Sequence, residues 1–196
     1  GGTSGCVETG AFGNEAYILT GYFNIPKIFE LTLNNGYDKM TGQQLGLKLG
    51  YATEFESYEE LYDAFKKQMK YFIDIKVQGS NVIEKIYAEE MPVPFLSIIT
   101  NDCISKGKDY NGGGARYNTK YLQGVGIGTI TDCLASVKYN VYEKKNFSMK
   151  ELMQALDDNF EGHDRILNLV SNKTPKYGND DEYADSIMRD VFEYYR

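Results

Sequence analysis

The segment with the most chemical promise is Gly5-Cys6-Val7-Glu8-Thr9-Gly10. Cys6 and Glu8 stand two residues apart among small residues, so a thiol and a carboxyl can face one cavity, and the glycines let backbone approach a substrate closely. A sulfur so placed serves as a nucleophile or as a hydrogen-atom carrier. The carboxyl can move protons to and from the same substrate. An ionised Glu8 would raise the pKa of a neighbouring thiol, which works against a thiolate nucleophile. The pair therefore suits a reaction in which sulfur stays neutral, and radical hydrogen abstraction is one. The residues alone leave a second reading open, a small buried Cys beside a surface Glu.

The other chemical candidates are weaker. Gly112-Gly113-Gly114 and Gly124-Val125-Gly126-Ile127-Gly128 are glycine runs, but the second is GxGxG rather than GxGxxG, and no GxxxxGK[ST] accompanies either. They predict close backbone packing or positive-φ turns rather than a phosphate cradle. His163 is the only His, too few for a His-rich zinc site, and no nucleophile elbow goes with it. It reads as a surface or capping residue. Cys103 and Cys133 read as small buried hydrophobes.

The elements that must position Cys6 and Glu8 are mainly helical. Residues 1–24 are Gly-rich and read as a loop leading into a short strand or helix. A short helix is predicted near 27–34 on Ile28 and Leu31, stopped by Asn34-Asn35-Gly36. Ser57-Tyr58-Glu59-Glu60 is a capping box that opens a long helix over about 58–88, broken by Met91-Pro92-Val93-Pro94. Residues 95–101 suit a short strand or helix, 103–118 a Gly-rich loop, 121–130 a strand or buried turn, and 131–141 a helix. Ser148-Met149-Lys150-Glu151 caps another helix, a short one follows His163, and Asp181 or a near neighbour caps the last. With no internal repeat and no linker, residues 1–196 are treated as a single unit.

Composition narrows the function classes. Of 196 residues, 42% are hydrophobic and 25% charged, ordinary for a globular protein. The net charge is −7 without a basic stripe, which argues against nucleic acid as a partner. No apolar run has the length of a membrane span. Three widely spaced Cys without a CxxC favour a reducing, cytoplasmic setting. The chain opens without an initiator Met and closes on Val191-Phe192-Glu193-Tyr194-Tyr195-Arg196, so both ends are expected to be cut from something longer.

The residues Gly1-Gly2-Thr3-Ser4-Gly5-Cys6-Val7-Glu8-Thr9-Gly10 resemble the thiyl-radical loop of the glycyl radical enzymes. Downstream, Gly114-Ala115-Arg116-Tyr117-Asn118, Gln123-Gly124-Val125-Gly126 and Thr131-Asp132-Cys133-Leu134-Ala135 are similar to a second segment of that superfamily, in the right order. Within it, Thr9 after Glu8 (where diol dehydratases and choline lyases commonly have Pro), Tyr17 to Lys27, Leu31 to Gly36 and Asn172 to Asp181 resemble the branch that dehydrates trans-4-hydroxy-L-proline.

The resemblance implies an α/β fold, part of a ten-stranded barrel of the pyruvate formate-lyase type, with this chain an internal segment of it. The carboxy-terminal RVxGY loop that carries the glycyl radical is not in the sequence. Cys6 would take the radical and abstract a hydrogen atom, Glu8 would supply the proton for loss of the C4 hydroxyl, and Tyr22 would line the substrate pocket. Arg116, Asn118 and Gln123 would be scaffold. No cofactor or metal is expected to bind this segment. A separate S-adenosylmethionine-dependent iron–sulfur activase would install the radical on the missing glycine, and the full-length enzyme would be a homodimer. Diol dehydration, C–N or C–S cleavage, arylacetate decarboxylation and an inactive fragment are the alternatives.

Overall fold

A computed structural model describes residues 2–4 and 8–196, with only the backbone described at Thr3, Ser4, Glu8 and Leu19. In chain order the elements are strands β1 (Gly2–Ser4), β2 (Glu8–Gly10) and β3 (Glu15–Asn24), helix α1 (Ile25–Leu33), short strands β4 (Tyr37–Asp38) and β5 (Gln43–Gln44), helices α2 (Tyr58–Glu90), α3 (Pro94–Ile99) and α4 (Cys103–Lys106), strand β6 (Tyr117–Val125), and helices α5 (Ile127–Val137), α6 (Met149–Asp157), α7 (Asp164–Asn168) and α8 (Glu182–Tyr195). By its internal contacts the chain divides into two compact units, residues 1–23 with 74–123 and residues 24–73 with 124–196.

The second of these is helical. Asn24 caps α1 by accepting from the Lys27 amide at 3.2 Å, and Pro26 occupies the first turn, where its missing N–H costs nothing. The predicted stop is real: Asn35 and Gly36 take φ of 54° and 77°. The inner face of α1 buries Ile25, Ile28 and Leu31, and the Phe29 ring meets Phe65 of α2 edge-on at 5.6 Å. Leu61, Phe65 and Met69 of α2 are wholly buried, as the helical spacing predicts. α5 packs between α1 and α8, with Ile130 and Leu134 wholly buried. Gln68, buried in the same unit, accepts from the Leu47 amide at 2.9 Å and donates to the Leu47 carbonyl at 2.6 Å, so both backbone groups of that loop residue are satisfied by one side chain.

The two capping boxes differ. At α6 the exchange is complete: the Glu151 amide donates to Ser148 Oγ and the Ser148 amide to Glu151 Oε2. At α2 the Glu60 amide donates to Ser57 Oγ, but its carboxylate accepts from the Glu56 amide, one residue earlier than the motif predicts.

The first unit is built on a two-stranded parallel sheet of β3 and β6. The second half of α2 is fixed to it by Thr20, whose hydroxyl donates to Ser80 Oγ at 2.8 Å. Ahead of the sheet, β1 and β2 pair antiparallel in the register Gly2 with Gly10, Thr3 with Thr9 and Ser4 with Glu8. Residues 1–24 read as a loop leading into a short strand or helix; they hold a strand of ten residues, with this hairpin where a loop is expected. The run Tyr17-Ile18-Leu19-Thr20 is β-branched and aromatic enough to hold a strand. Ala16, Cys103, Tyr110 and Ala115 form a small core beneath, with Val93 packed against it. Cys103 lies in the four-residue α4 rather than in a loop.

Candidate active site

Of the three residues singled out for chemistry, Cys6 lies outside the described residues. Glu8 begins β2, with its backbone paired to Ser4. Tyr22 sits near the end of β3 and is 65% exposed. The base of the hairpin that carries the Cys6–Glu8 segment is held by packed rings and hydrogen bonds.

Two rings pack on the glycine pair at that base. A Cβ on Gly2 would come within 2.8 Å of the Phe12 ring, and one on Gly10 would overlap the Tyr17 phenol. Both glycines are needed for space, since side chains there would push the rings away. Two hydroxyls and a carboxylate then tie the hairpin to the sheet. Glu15 Oε2 accepts from the Ala11 amide at 2.9 Å, and Glu15 Oε1 accepts from Thr119 Oγ1 at 2.6 Å. The Tyr121 hydroxyl lies 3.0 Å from the Thr9 carbonyl and 3.2 Å from Glu15 Oε1, so its one proton has two acceptors. The Tyr17 and Tyr121 rings are tilted neighbours at 5.9 Å, and the Tyr17 amide donates to the Tyr110 hydroxyl at 2.8 Å.

The electrostatics follow from these contacts. The Thr119 hydroxyl, then the Ala11 amide, hold the Glu15 carboxyl below its ordinary range, because both favour the charged form. Burial, and then the negative charge of Glu15, push the Tyr17 phenol up. The Tyr17 hydroxyl oxygen is buried and has no hydrogen-bond partner among the described residues.

Tyr22 follows a second tight backbone feature. Gly21 has φ of 135°, and a Cβ there would come within 2.6 Å of Lys76 Nζ, which donates to the Thr20 carbonyl at 2.7 Å. A lysine from α2 thus lies directly on the chain just before Tyr22, where the positive φ of residue 21 favours glycine.

The weaker candidates resolve as packing. Gly126 has φ of 85°, and a Cβ on it would meet Pro26 at 2.6 Å; Gly124 faces the Tyr195 ring in the same way at 3.0 Å. Gly113 has φ of 84°, and Gly114 lies so near the Cys103 sulfur that a Cβ would be 2.9 Å from it. Burial pushes the Cys103 thiol up, which keeps it neutral and inert. His163 precedes α7 and pairs with Asp158 at 2.9 Å on the surface. Arg116 makes a bidentate pair with Asp102 at 3.1 and 3.0 Å, and Asn118 donates to the Ala115 carbonyl at 3.0 Å, both scaffold contacts. No group of three His, Cys, Asp or Glu able to hold a metal occurs among the described residues. No helix among them is long and apolar enough to cross a membrane.

No motif signals Glu15, Thr119 or Tyr121, and Tyr17 is marked only as the first residue of a run that resembles the family. The only other hint in the sequence is the abundance of Tyr, 17 in all.

Comparison with known proteins gives a consistent picture. The pyruvate formate lyase-like family model matches residues 1–196. The chain is 66% identical over 195 residues to trans-4-hydroxy-L-proline dehydratase of Clostridioides difficile, covering 100% of this chain and 25% of that protein. It is 38% identical over 193 residues to (2S)-3-sulfopropanediol dehydratase of Klebsiella oxytoca, covering 97% of this chain and 23% of the other. Among solved structures, hydroxyproline dehydratase from Clostridioides difficile with trans-4-hydroxy-L-proline bound superposes with a TM-score of 0.95 at 66% identity, over 99% of this chain and 25% of that one. The glycerol-bound B12-independent glycerol dehydratase from Clostridium butyricum gives 0.84 at 36% identity, over 93% of this chain and 23% of the other. The chain thus spans about a quarter of the length of the relatives it matches.

Proposed function

The chain belongs to the pyruvate formate lyase-like family, and from that membership we propose that it is the thiyl-loop part of a radical dehydratase acting on trans-4-hydroxy-L-proline. The observation that carries the reading is the 66% identity to the Clostridioides difficile dehydratase along the whole chain, against 38% for the sulfopropanediol dehydratase. Relatives in the same family include a glycyl radical subunit of 4-hydroxyphenylacetate decarboxylase and a glycyl radical enzyme from Archaeoglobus fulgidus, which supports radical chemistry.

A glycyl radical, installed by a separate S-adenosylmethionine-dependent iron–sulfur activase, supplies the one-electron oxidising equivalent. In this reading Cys6 is the hydrogen-atom carrier. Its sulfur takes a hydrogen from the ring carbon next to nitrogen and later returns one, so it ends unchanged. Glu8 provides the proton with which the C4 hydroxyl leaves as water. Atoms balance: trans-4-hydroxy-L-proline becomes 1-pyrroline-5-carboxylate plus water, with no net oxidation. Tyr22 contributes to the substrate pocket. The surrounding protein keeps the site dry so that reactive intermediates are not quenched. The assembled enzyme is a homodimer in the cytoplasm.

The test is turnover by the intact, anaerobically activated enzyme. Formation of 1-pyrroline-5-carboxylate from trans-4-hydroxy-L-proline, lost in Cys6→Ser, is the expected result. Turnover of a diol or a sulfonate in its place would overturn the substrate assignment and leave the family standing.

A further inference from the structure

The hairpin that carries the Cys6–Glu8 segment has strands of only three residues each. Three cross-strand pairs do not hold such a hairpin in water, since even longer isolated two-stranded hairpins are marginal. Its position must come from outside it. The same base carries a glycine pair and therefore contributes no side chains of its own to fix it. What reaches it from the sheet is specific. Tyr121 of β6 lies within hydrogen-bond distance of the Thr9 carbonyl, the residue next to Glu8. Glu15 of β3 accepts from the Ala11 amide one residue beyond the strand. The two anchors are joined, because the Tyr121 hydroxyl is also 3.2 Å from Glu15 Oε1, and Thr119 holds that same oxygen at 2.6 Å.

Resting on the proposed dehydratase reading, we infer that Glu15 and Tyr121 are positioning residues that act as one latch, fixing the base of the reactive hairpin to strands β3 and β6. They act through Thr9 and Ala11 and do not touch substrate. Radical abstraction needs the sulfur within contact of one particular carbon, and a displacement of about 1 Å costs on the order of a hundredfold in rate. Releasing the hairpin base should therefore lower the rate of the bound complex more than it weakens substrate binding.

The experiment uses the intact activated enzyme with Tyr121→Phe, Glu15→Gln and the double variant, each close in shape to the original. It reads kcat and KM for trans-4-hydroxy-L-proline, glycyl radical content by electron paramagnetic resonance, and amide hydrogen exchange of a peptide spanning residues 1–12. The expected result is normal radical content, kcat reduced about tenfold in each single variant with KM within about threefold, and exchange in the hairpin faster by about tenfold. The double variant should be no worse than the poorer single one, because the two groups work as a unit. Wild-type kcat, an effect on KM alone, or lost kcat without faster hairpin exchange would each overturn the latch. If the activated parent enzyme forms no pyrroline carboxylate, the substrate reading fails instead, and the exchange measurement alone decides the latch: faster in the variants supports it, unchanged refutes it.

Discussion

The phenol ring of Tyr17 lies against the backbone of Gly10, in the space a Cβ on residue 10 would fill. This single contact joins the first residue pair of the β1–β2 hairpin to strand β3, and it explains why the loop segment closes on glycine.

Gly10→Ala should consequently act at a distance from the chemistry. The added methyl overlaps the ring, so either Tyr17 leaves its place or β2 shifts from β3. Either outcome moves the Cys6–Glu8 segment. The expected effect is a loss of about tenfold or more in kcat. Circular dichroism should be unchanged, because the helices that dominate the fold are not involved. Full activity in Gly10→Ala would show that the contact does not position the segment.

Tyr17→Phe separates the ring from its hydroxyl. The ring does the packing. The hydroxyl is buried without a partner among the described residues, and an unsatisfied buried polar group costs about 1–3 kcal/mol. Removing it should leave the intact protein at least as stable, with a gain of up to about 1 kcal/mol by urea denaturation. A clear loss of stability would mean that the hydroxyl has a partner supplied by another part of the protein.

How far the sequence reveals this arrangement depends on the range of the interaction. Ser148 and Glu151 are three residues apart and declare a helix start by themselves; Asp181 does the same for α8, accepting from the Tyr183 amide at 3.0 Å. The core stripe Leu61, Phe65, Met69 is read from period alone. The link from Thr119 to Glu15 crosses 104 positions, and that from Tyr121 to Thr9 crosses 112, so no local pattern announces them. Composition also misleads at residues 1–24, where Gly2 and Gly10 look like loop residues but are strand positions on which the Phe12 and Tyr17 rings pack. The start of α5 at Ile127, ahead of the expected 131, is hidden for a similar reason: Gly126 is at once a left-handed cap and the seat of Pro26. The Cys6–Glu8 pair itself is conspicuous by residue type, and its radical meaning comes from the resemblance rather than from spacing.

The α1–β4 turn carries a pH-dependent contribution. Lys27 Nζ lies 2.6 Å from both Glu30 and Asp38, and Asp38 is almost fully buried while also accepting from the Thr41 hydroxyl at 2.6 Å. The Lys27 and Thr41 bonds hold the Asp38 carboxyl at about 2, below its ordinary 3.8. A carboxyl depressed on folding stabilises above its unfolded pKa, and that stability is lost as pH falls through the folded value. Asp38→Asn should therefore lower Tm at pH 6, and the gap from the parent should narrow between pH 4 and pH 2. A gap that stays constant down to pH 2 would show that the charge on Asp38 contributes nothing.

Glu8→Gln tests the division of labour in the reactive segment. Glutamine keeps the shape and removes the proton. If Cys6 abstracts hydrogen and Glu8 only assists departure of the hydroxyl, the first step survives and the second slows. In deuterated water the sulfur holds the substrate's own hydrogen after abstraction, and exchange of that S–H with solvent before re-donation returns deuterium to the ring carbon next to nitrogen. The expected outcome is recovered substrate labelled at that carbon while pyrroline carboxylate formation falls by about a hundredfold to ten-thousandfold, the range general acid–base groups supply. Cys6→Ser should show neither label nor product, since an alcohol O–H bond is too strong to be exchanged for the glycyl C–H. Equal dehydration rates in the Glu8 variant and its parent would take Glu8 out of the mechanism, and label appearing in the Cys6 variant would take out the sulfur.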